Sequence, residues 1–547
     1  MAQPPGDHTE VEWQFEAVDV RPVLHWLETS VPAGYRVTPA GTKELRDTYF
    51  DTADWRLHRA GFTCRVRDKS DGAELTLKSM AEAKDGIRSR RELTERIAET
   101  TPAAIAAAPG PCGELIRTLA GSHTLQRLFT LAQTRRAFRL DDDAGEIAEI
   151  AVDETLIPLG LEDEPTKLSR IEVEVTGGNV DRARPFVDAL VAGCGLEPAR
   201  LSKFQAGLRA SGKQPAGLPD PGPTDVRADM TAGEVAHAVL RQHFAALLAN
   251  EPGTRLGEDP EALHDMRVAA RRLRAALQVF RPFLPPEFQR FREELAWVAR
   301  ALGEVRDLDV QLERMPGWRT GFGPGHAHAL DNLEALLQQH RKVARRHMLA
   351  ALDSARYETL LRDLGEALRG DAREFAPGAV PILAVAPEII ERRYRRLRKR
   401  GDAIGPGSPA SDYHLLRIQA KKLRYALEFV GPIYGKPARK FVARLTELQD
   451  LLGLHQDADV AQETLYLTGN EAGQRLGPET LMAMGAIAER YRRQAKKLRK
   501  KFPPVYRQLT GRDWRRLLHV LEARRPVAEE TTGVVPPFAR MAPQHDS

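Results

Sequence analysis

The sequence predicts an α+β protein with more than one domain. An antiparallel, barrel-like β-rich domain with a few helices is followed by an all-α, duplicated helical bundle. Three observations carry this. Short segments of period-two alternation fill the chain before residue 211, apolar spacings of three and four fill the rest, and two blocks of the second half recur at one fixed offset.

In the first part, VEWQFEAV, FTCRVR, AELTLKSM, IAEIAVDETLI and SRIEVEVTGG alternate with period two and are separated by turn residues, the pattern of strands. Helices are expected near 20–29, 113–121 and 180–193. This domain spans 8–208. The stretch 211–226, SGKQPAGLPDPGPTDV, is rich in Gly and Pro and poor in apolar residues, so 209–228 reads as a linker. From 526 to 547 the chain is Pro-rich and polar and reads as a disordered tail.

The helical domain spans 229–522. Its helices are cut by Pro and Gly at 281–286, 316–325 and 431–437. LHDMRVAARRLRAAL at 263–277 matches YHLLRIQAKKLRYAL at 413–427, and LGEVRDLDV at 302–310 matches LGLHQDADV at 452–460. Both offsets are 150 residues, which implies a duplicated unit of several helices.

Charge separates the two parts. Residues 1–220 carry 28 Lys+Arg and 35 Asp+Glu, a balance of −7, and the remainder carries 53 and 41, a balance of +12. The asymmetry points to an anionic partner for the basic part. No apolar run approaches the ~20 residues of a membrane span. The start, MAQPPGDHTE, lacks the basic and apolar segments of a secretory signal. Cys64, Cys112 and Cys194 are scattered and odd in number, so neither a disulfide framework nor a zinc cluster is indicated, and a reducing cytoplasm is the expected compartment.

On a helix, His264, Arg267, Arg271 and Arg274 fall at i, i+3, i+7 and i+10, along one stripe. His414, Arg417, Lys421 and Arg424 repeat it, while Met266, Leu273 and Leu277 require a buried face. Like charges at this spacing repel. Either acids such as Asp307, Asp309, Asp457 and Asp459 neutralise them internally, or the stripes hold a linear polyanion. The H-x-x-R-x-x-x-[RK]-[RK]-x-R pattern, present twice with a downstream Asp-x-Asp, resembles the CHAD family (conserved histidine α-helical domain). That resemblance implies a helical, pseudo-twofold module that binds inorganic polyphosphate. Nucleic acid is disfavoured, because few aromatics lie near the stripes to stack on bases (Tyr394, Tyr425, Tyr491).

In the β domain, Glu10 and Glu12 share a face, as do Glu172 and Glu174, and Arg65 and Arg67. Such polar pairs mean an exposed outer face or a charged interior. A charged interior could combine carboxylates for a hard divalent ion with cations for phosphate oxygens. The ordered segments EVEWQ (10–14), RDTYFDT (46–52), CRVR (64–67), LTLK (75–78), RRE (90–92), the Arg135 region, AVDET (151–155), IEVEV (171–175) and LSKFQAGL (201–208) resemble the CYTH superfamily, the triphosphate tunnel metalloenzymes.

The resemblance implies an antiparallel eight-stranded tunnel and metal-dependent hydrolysis of inorganic triphosphate. It further implies Mg²⁺ or Mn²⁺ on Glu10, Glu12, Asp153, Glu172 and Glu174, catalysis by these Glu residues with Lys78, and substrate binding by Arg46, Arg65, Arg67, Lys78, Arg90, Arg135 and Lys203, with Glu92 beside them. Gln14 stands where the family usually has Lys. The expected activity is an inorganic triphosphatase joined to a polyphosphate-binding module, in the cytoplasm and at polyphosphate granules. The alternative is a non-catalytic polyphosphate-binding, granule-associated scaffold. Adenylate cyclase chemistry has no adenine-recognition feature to support it.

Overall fold

The structure is a computed structural model. It describes residues 6–526 except 82, 83, 85, 158–164, 216, 321 and 323–327; the expected tail at 526–547 lies, beyond its first residue, outside the described residues. The chain divides into two compact units, Met1–Gly217 and Leu218–Ser547.

In the first unit the elements run β1 (Gly6–Ala17), α1 (Arg21–Thr29), β2 (Tyr35–Thr52), α2 (Arg56–Arg59), β3 (Phe62–Lys69), β4 (Gly72–Ser79), β5 (Ile87–Ile97), α3 (Pro102–Ala107), α4 (Pro111–Ala120), β6 (Leu125–Asp142), β7 (Gly145–Ile157), β8 (Thr166–Val175), α5 (Val180–Cys194), β9 (Glu197–Pro198) and α6 (Lys203–Ala210). The hydrogen-bonded order is β5-β4-β3-β2-β6-β7-β8-β1-β9, and a further β5–β1 pairing closes eight antiparallel strands into a ring. Closure works because β1 shares itself between two neighbours. Its Gly6–Trp13 stretch pairs with β5 and its Glu12–Ala17 stretch with β8. The two-residue β9 adds to β1 at Phe15 and Glu16.

This ring inverts the usual arrangement of a half-buried strand. On β1, Trp13 and Phe15 point outward, and so do Ile150 and Val152 of β7 and Ile171 and Val173 of β8. All pack with Val23 and Trp26 of α1 and Phe186 and Leu190 of α5 in one apolar cluster. The alternate residues therefore face inward, and these are the charged ones. The polar pairs belong to a charged interior: Glu10 is 5% exposed and Glu12 2%.

The second unit consists of α7 (Ala232–Leu256), α8 (Pro260–Val279), α9 (Phe288–Arg319), α10 (Asp331–Leu352), α11 (Ala355–Arg369), α12 (Ile382–Gly401), α13 (Ala410–Gln508) and α14 (Arg512–Ala523), with short 3₁₀ turns at Arg281–Phe283 and Ala376–Ala379. Gly435 (φ 60°) and Gly477 (φ 79°) break α13 into three helical segments. Only glycine adopts such backbone conformations without strain.

Helix α7 starts at Ala232 and α12 at Ile382, α8 at Pro260 and α13 at Ala410, in each case 150 residues apart. The first pair of starts is tied reciprocally: Ala232 N donates to Val380 O (2.8 Å) and Ile382 N to Met230 O (3.0 Å). Met266, Leu273 and Leu277 of α8 are buried in the same core as Leu416, Leu423 and Leu427 of α13. Among the described residues, no helix is long and apolar enough to cross a membrane.

Candidate functional site

Inside the ring is a cavity of about 1480 Å³, lined by Glu10, Glu12, Gln14, Arg65, Arg67, Lys78, Arg90, Glu92, Arg135, Glu172, Glu174 and Lys203 among others. Each of the eight ring strands contributes, mostly through its inward parity. Lys78 Nζ donates to Glu10 Oε1 (2.7 Å) and lies 2.8 Å from Glu92 Oε2. Arg90 donates to Glu10 Oε2 (3.2 Å) and to Glu12. Arg135 grips Asp153 through Nε and Nη2 (2.8 and 2.6 Å) and also reaches Glu172 Oε2 (2.6 Å). Lys203, at the start of α6, meets Asp153 and lies 3.0 Å from Glu172 Oε1.

The carboxylates divide into two classes. Burial raises the proton affinity of Glu172, but Lys203 and Arg135 overcome it and hold the group well below the usual range. Burial likewise opposes, without overcoming, the effect of Lys78 and Arg65 on Glu92, which is lowered. Glu12 is pushed up to about 8 by burial and then by Glu10 and Glu172. Glu174 is pushed up to about 7 by burial and then by Glu10, and it accepts no hydrogen bond among the described residues. Carboxyls crowded and buried in this way hold a proton that a bound cation can displace, a chemistry that suits a divalent cation. Among the described residues no three His, Cys, Asp or Glu side chains are poised around a single point; Lys78 and Arg90 are seated against Glu10 and Glu12.

Gln14 bridges the two classes. Its Nε2 donates to Glu12 Oε1 (2.9 Å) and Glu172 Oε1 (3.3 Å), and its Oε1 is buried without a partner. Gln14 therefore supplies the donor that a lysine would, without the charge.

Two expected residues are placed differently. Arg46 has a side chain 66% exposed and lies 3.8 Å from Asp68, away from the cavity. It occupies the outward parity of β2. Its neighbour Asp47 is the inward residue, buried between Arg67 (2.7 and 2.8 Å) and Arg65 (3.8 Å). Asp153 is fully buried behind the lining, and Arg135 and Lys203 take up its oxygens. There it holds those two cations in place. Sequence reasoning passed over Asp47, although it lies within the quoted RDTYFDT segment. It also passed over Arg88 and Glu149, which line the cavity at the same inward parity.

In the second unit, the stripes of α8 and α13 meet. Lys421 is pushed down to about 8 by burial and then by Arg417, Arg271, Arg424 and Arg267, so cations of both helices share one junction. The acids neutralise it only in part: Asp457 acts on Arg417. Asp307 reaches Arg267 at 3.5 Å, but Asp309 pairs with Arg341 and Asp457 with Arg314 (3.6 Å). Glu428 holds Arg272 (3.1 Å) and Arg424 (3.5 Å). The Nε atoms of Arg271, Arg274 and Arg417 and the Nδ1 of His414 are buried without hydrogen-bond partners. His264 and His414 lie one turn before Arg267 and Arg417 on their helices. Arg274 is lowered by burial and then by Arg292 and Arg300, two cations of α9 that no local pattern could have joined to the stripe.

The glycines of the second repeated block explain how the arginines lie. A Cβ at Gly303 would sit 3.6 Å from Arg267 Nε, and one at Gly453 3.5 Å from Arg417 Nη2. The missing side chains let each guanidinium rest against the neighbouring helix.

A closed ring of eight strands with a charged interior, followed by a helical unit with basic stripes, defines a class of two-domain proteins. The chain carries a CYTH domain, matched over residues 17–191, and a CHAD domain, matched over 238–466. The CYTH match begins at the last residue of β1, so Glu10, Glu12 and Gln14 lie before it. Over 92% of its length the chain is 26% identical to an uncharacterized Mycobacterium tuberculosis protein, 98% of which is covered. It is 28% identical over 172 residues to the inorganic triphosphatase of Haemophilus influenzae, a match spanning 31% of this chain and 47% of that protein. The crystal structure of the CHAD domain of Ricinus communis is 28% identical, covering 52% of this chain and 96% of that one, with a TM-score of 0.44.

Proposed function

We propose that the ring unit hydrolyses inorganic triphosphate or a related short phosphate chain, and that the helix junction binds polyphosphate. The observation that carries the first reading is the enclosure of Arg65, Arg67, Lys78, Arg90, Arg135 and Lys203 with Glu10, Glu12, Glu172 and Glu174 in one cavity. A phosphate chain accompanied by a divalent cation brings the same two signs of charge. It can therefore replace the internal ion pairs without leaving a buried charge unpaired.

The guanidiniums and ammoniums grip phosphoryl oxygens and stabilise the charge that develops on the leaving phosphate. Water attacks the terminal phosphorus, the bond to the bridging oxygen breaks, and orthophosphate and pyrophosphate result. Glu174, which lacks a hydrogen-bond partner, is the carboxylate that receives the water's proton. Glu10, Glu12 and Glu172 are the residues that would hold Mg²⁺ or Mn²⁺, and such an ion, when bound, polarises the phosphoryl group and acidifies water. The test is phosphate release from tripolyphosphate, with either metal, by the full chain and by Glu172→Gln. A loss of about 10²-fold or more is expected, and equal rates would remove the assignment.

A second reading, binding without turnover, is favoured by Gln14, which leaves the bridge between Glu12 and Glu172 without a positive charge.

For the helical unit, the supporting observation is that Arg267, Arg271, Arg417, Arg424 and Lys421 converge with fewer acids than cations around them. Tyr394 and Tyr425 are buried, and Tyr491 accepts from Trp318 Nε1 (2.8 Å), so these rings do not offer a stacking platform for bases. Affinity for long-chain polyphosphate should fall steeply with salt, and Arg267→Glu with Arg417→Glu should abolish it. Unchanged affinity in the double variant would make the stripes structural.

A further inference from the structure

The second unit has a cavity of about 440 Å³, bounded by the segment 224–227 and by α7, α8 and α13. Small-molecule sites span roughly 300–1,000 Å³. Helix α7 turns Val239, Gln242 and His243 to it, at i, i+3 and i+4 on one face. Phe429 and Pro432 of α13 extend the apolar wall.

The polar side is small. Arg272 makes one ion pair, with Glu428 at 3.1 Å, and its side chain stays 32% exposed. A guanidinium has five N–H donors, so most of its capacity is unused. His243 is 6% exposed, packs on Phe429 with ring centroids 5.8 Å apart, and makes no hydrogen bond among the described residues. Burial and then Arg272 push it down to about 4, so it is a neutral ring with a donor to offer. Glu428 also lies 3.5 Å from Arg424. Two guanidiniums thus share one carboxylate, and one positive charge beside the cavity is left over. At the rim, Asp225 and Arg227 are exposed and of opposite sign.

This constellation is not part of the duplication. The positions 150 residues away from His243, Arg272, Glu428 and Phe429 hold Arg393, Lys422, Gln278 and Val279. The basic stripes recur in both repeats and this set does not, which separates its ligand from the polyanion of the stripes.

We propose that the cavity binds an organic monocarboxylate with an apolar body, its carboxylate on Arg272 and His243 and its hydrocarbon against Val239, Phe429 and Pro432. A carboxylate brings one negative charge, which matches the one in surplus, and a guanidinium takes it through charge-assisted hydrogen bonds. A phosphate chain would bring more charge than the surplus, and a hydration shell that the apolar wall cannot replace. The inference rests on neither proposed activity.

The experiment is calorimetric titration of the full chain with 3-phenylpropanoate, which should bind saturably. The neutral 3-phenylpropanamide should bind about tenfold or more weakly, since bonds to a charged group are lost. Acetate, which lacks the apolar body, should give no saturable binding. Arg272→Gln should weaken the carboxylate by about tenfold or more and leave the amide's affinity as it was, a split that a loss of folding would not produce. Gln242 is exposed at the cavity, so Gln242→Trp should fill the space and abolish binding of both compounds at an unchanged Tm. Tripolyphosphate should not displace the probe. The proposal is overturned by an absence of saturable binding up to about 1 mM, by equal affinity for carboxylate and amide, or by displacement of the probe by tripolyphosphate.

Discussion

Arg67 donates twice to Asp47, Nε to Oδ1 at 2.7 Å and Nη2 to Oδ2 at 2.8 Å, across the paired strands β2 and β3. Asp47 is 1% exposed, and Arg65 and Arg67 together with burial decide its state: burial raises its proton affinity, and the guanidiniums hold it well below the usual carboxylate range. Removing one partner of such a pair leaves buried charge uncompensated. Asp47→Ala should cost the ring unit about 3–5 kcal/mol. Chemical denaturation of the full chain, followed through the tryptophans of the ring unit, checks this. A loss below about 1 kcal/mol would mean that water replaces Asp47 beside the arginines.

The sign of the β2 error shows where sequence reasoning stops. Period two is legible on β1, where Glu10, Glu12 and Gln14 alternate with Val11, Trp13 and Phe15, and on β8, where Glu172 and Glu174 alternate with Ile171 and Val173. It fails over Asp47–Thr52, which is buried on both faces. Nothing local then distinguishes Arg46 from Asp47. In the same stretch, Asp51 accepts from Leu57 N (3.0 Å) and His58 N (2.8 Å) and so organises the start of α2, a structural task inside a motif that resemblance ties to phosphate chemistry. The basic stripes were legible from helical spacing. Their meeting with each other, and with Arg292 and Arg300, depends on tertiary packing, which spacing does not encode.

Gln14→Lys should place an ammonium between Glu12 and Glu172. Glu12 now stands at about 8, raised by burial and then by Glu10 and Glu172, and an added cation lowers it. If triphosphate turnover in this chain is limited by the missing charge, the variant should raise phosphate release by about tenfold or more. A variant that folds and binds tripolyphosphate without any gain would assign the limit elsewhere in the site.

Lys421 gives stability a defined pH dependence. Its proton affinity in the folded protein, about 8, is below its ordinary 10.5. Between those values the unfolded chain binds more protons, so stability rises as pH increases through that window. Below about 8 the ammonium is charged in both states and its repulsion by the four arginines is fully present. Lys421→Gln should raise Tm at pH 7.5 and flatten its rise toward pH 9.5. A difference between the two proteins that does not change with pH would place the amine outside the arginine field.

Gly303 and Gly453 separate the folding role of the second repeated block from its binding role. Alanine fits at both positions, since a Cβ would meet Arg267 or Arg417 at 3.6 or 3.5 Å, ordinary contact distances. Leucine carries its branch into the space the guanidinium occupies. Both residues lie inside helices, where replacing glycine gains about 1 kcal/mol of helix propensity. Gly453→Leu should therefore leave thermal stability equal or higher while displacing Arg417, and Gly303→Leu should do the same to Arg267. Each variant should weaken polyphosphate binding, with a salt slope smaller by about one counterion, and Gly453→Ala should bind as the parent does. Titration against long-chain polyphosphate at several salt concentrations measures this. Undiminished affinity in both leucine variants would mean that the two arginines reach the ligand from another orientation, and that the glycines serve helix packing alone.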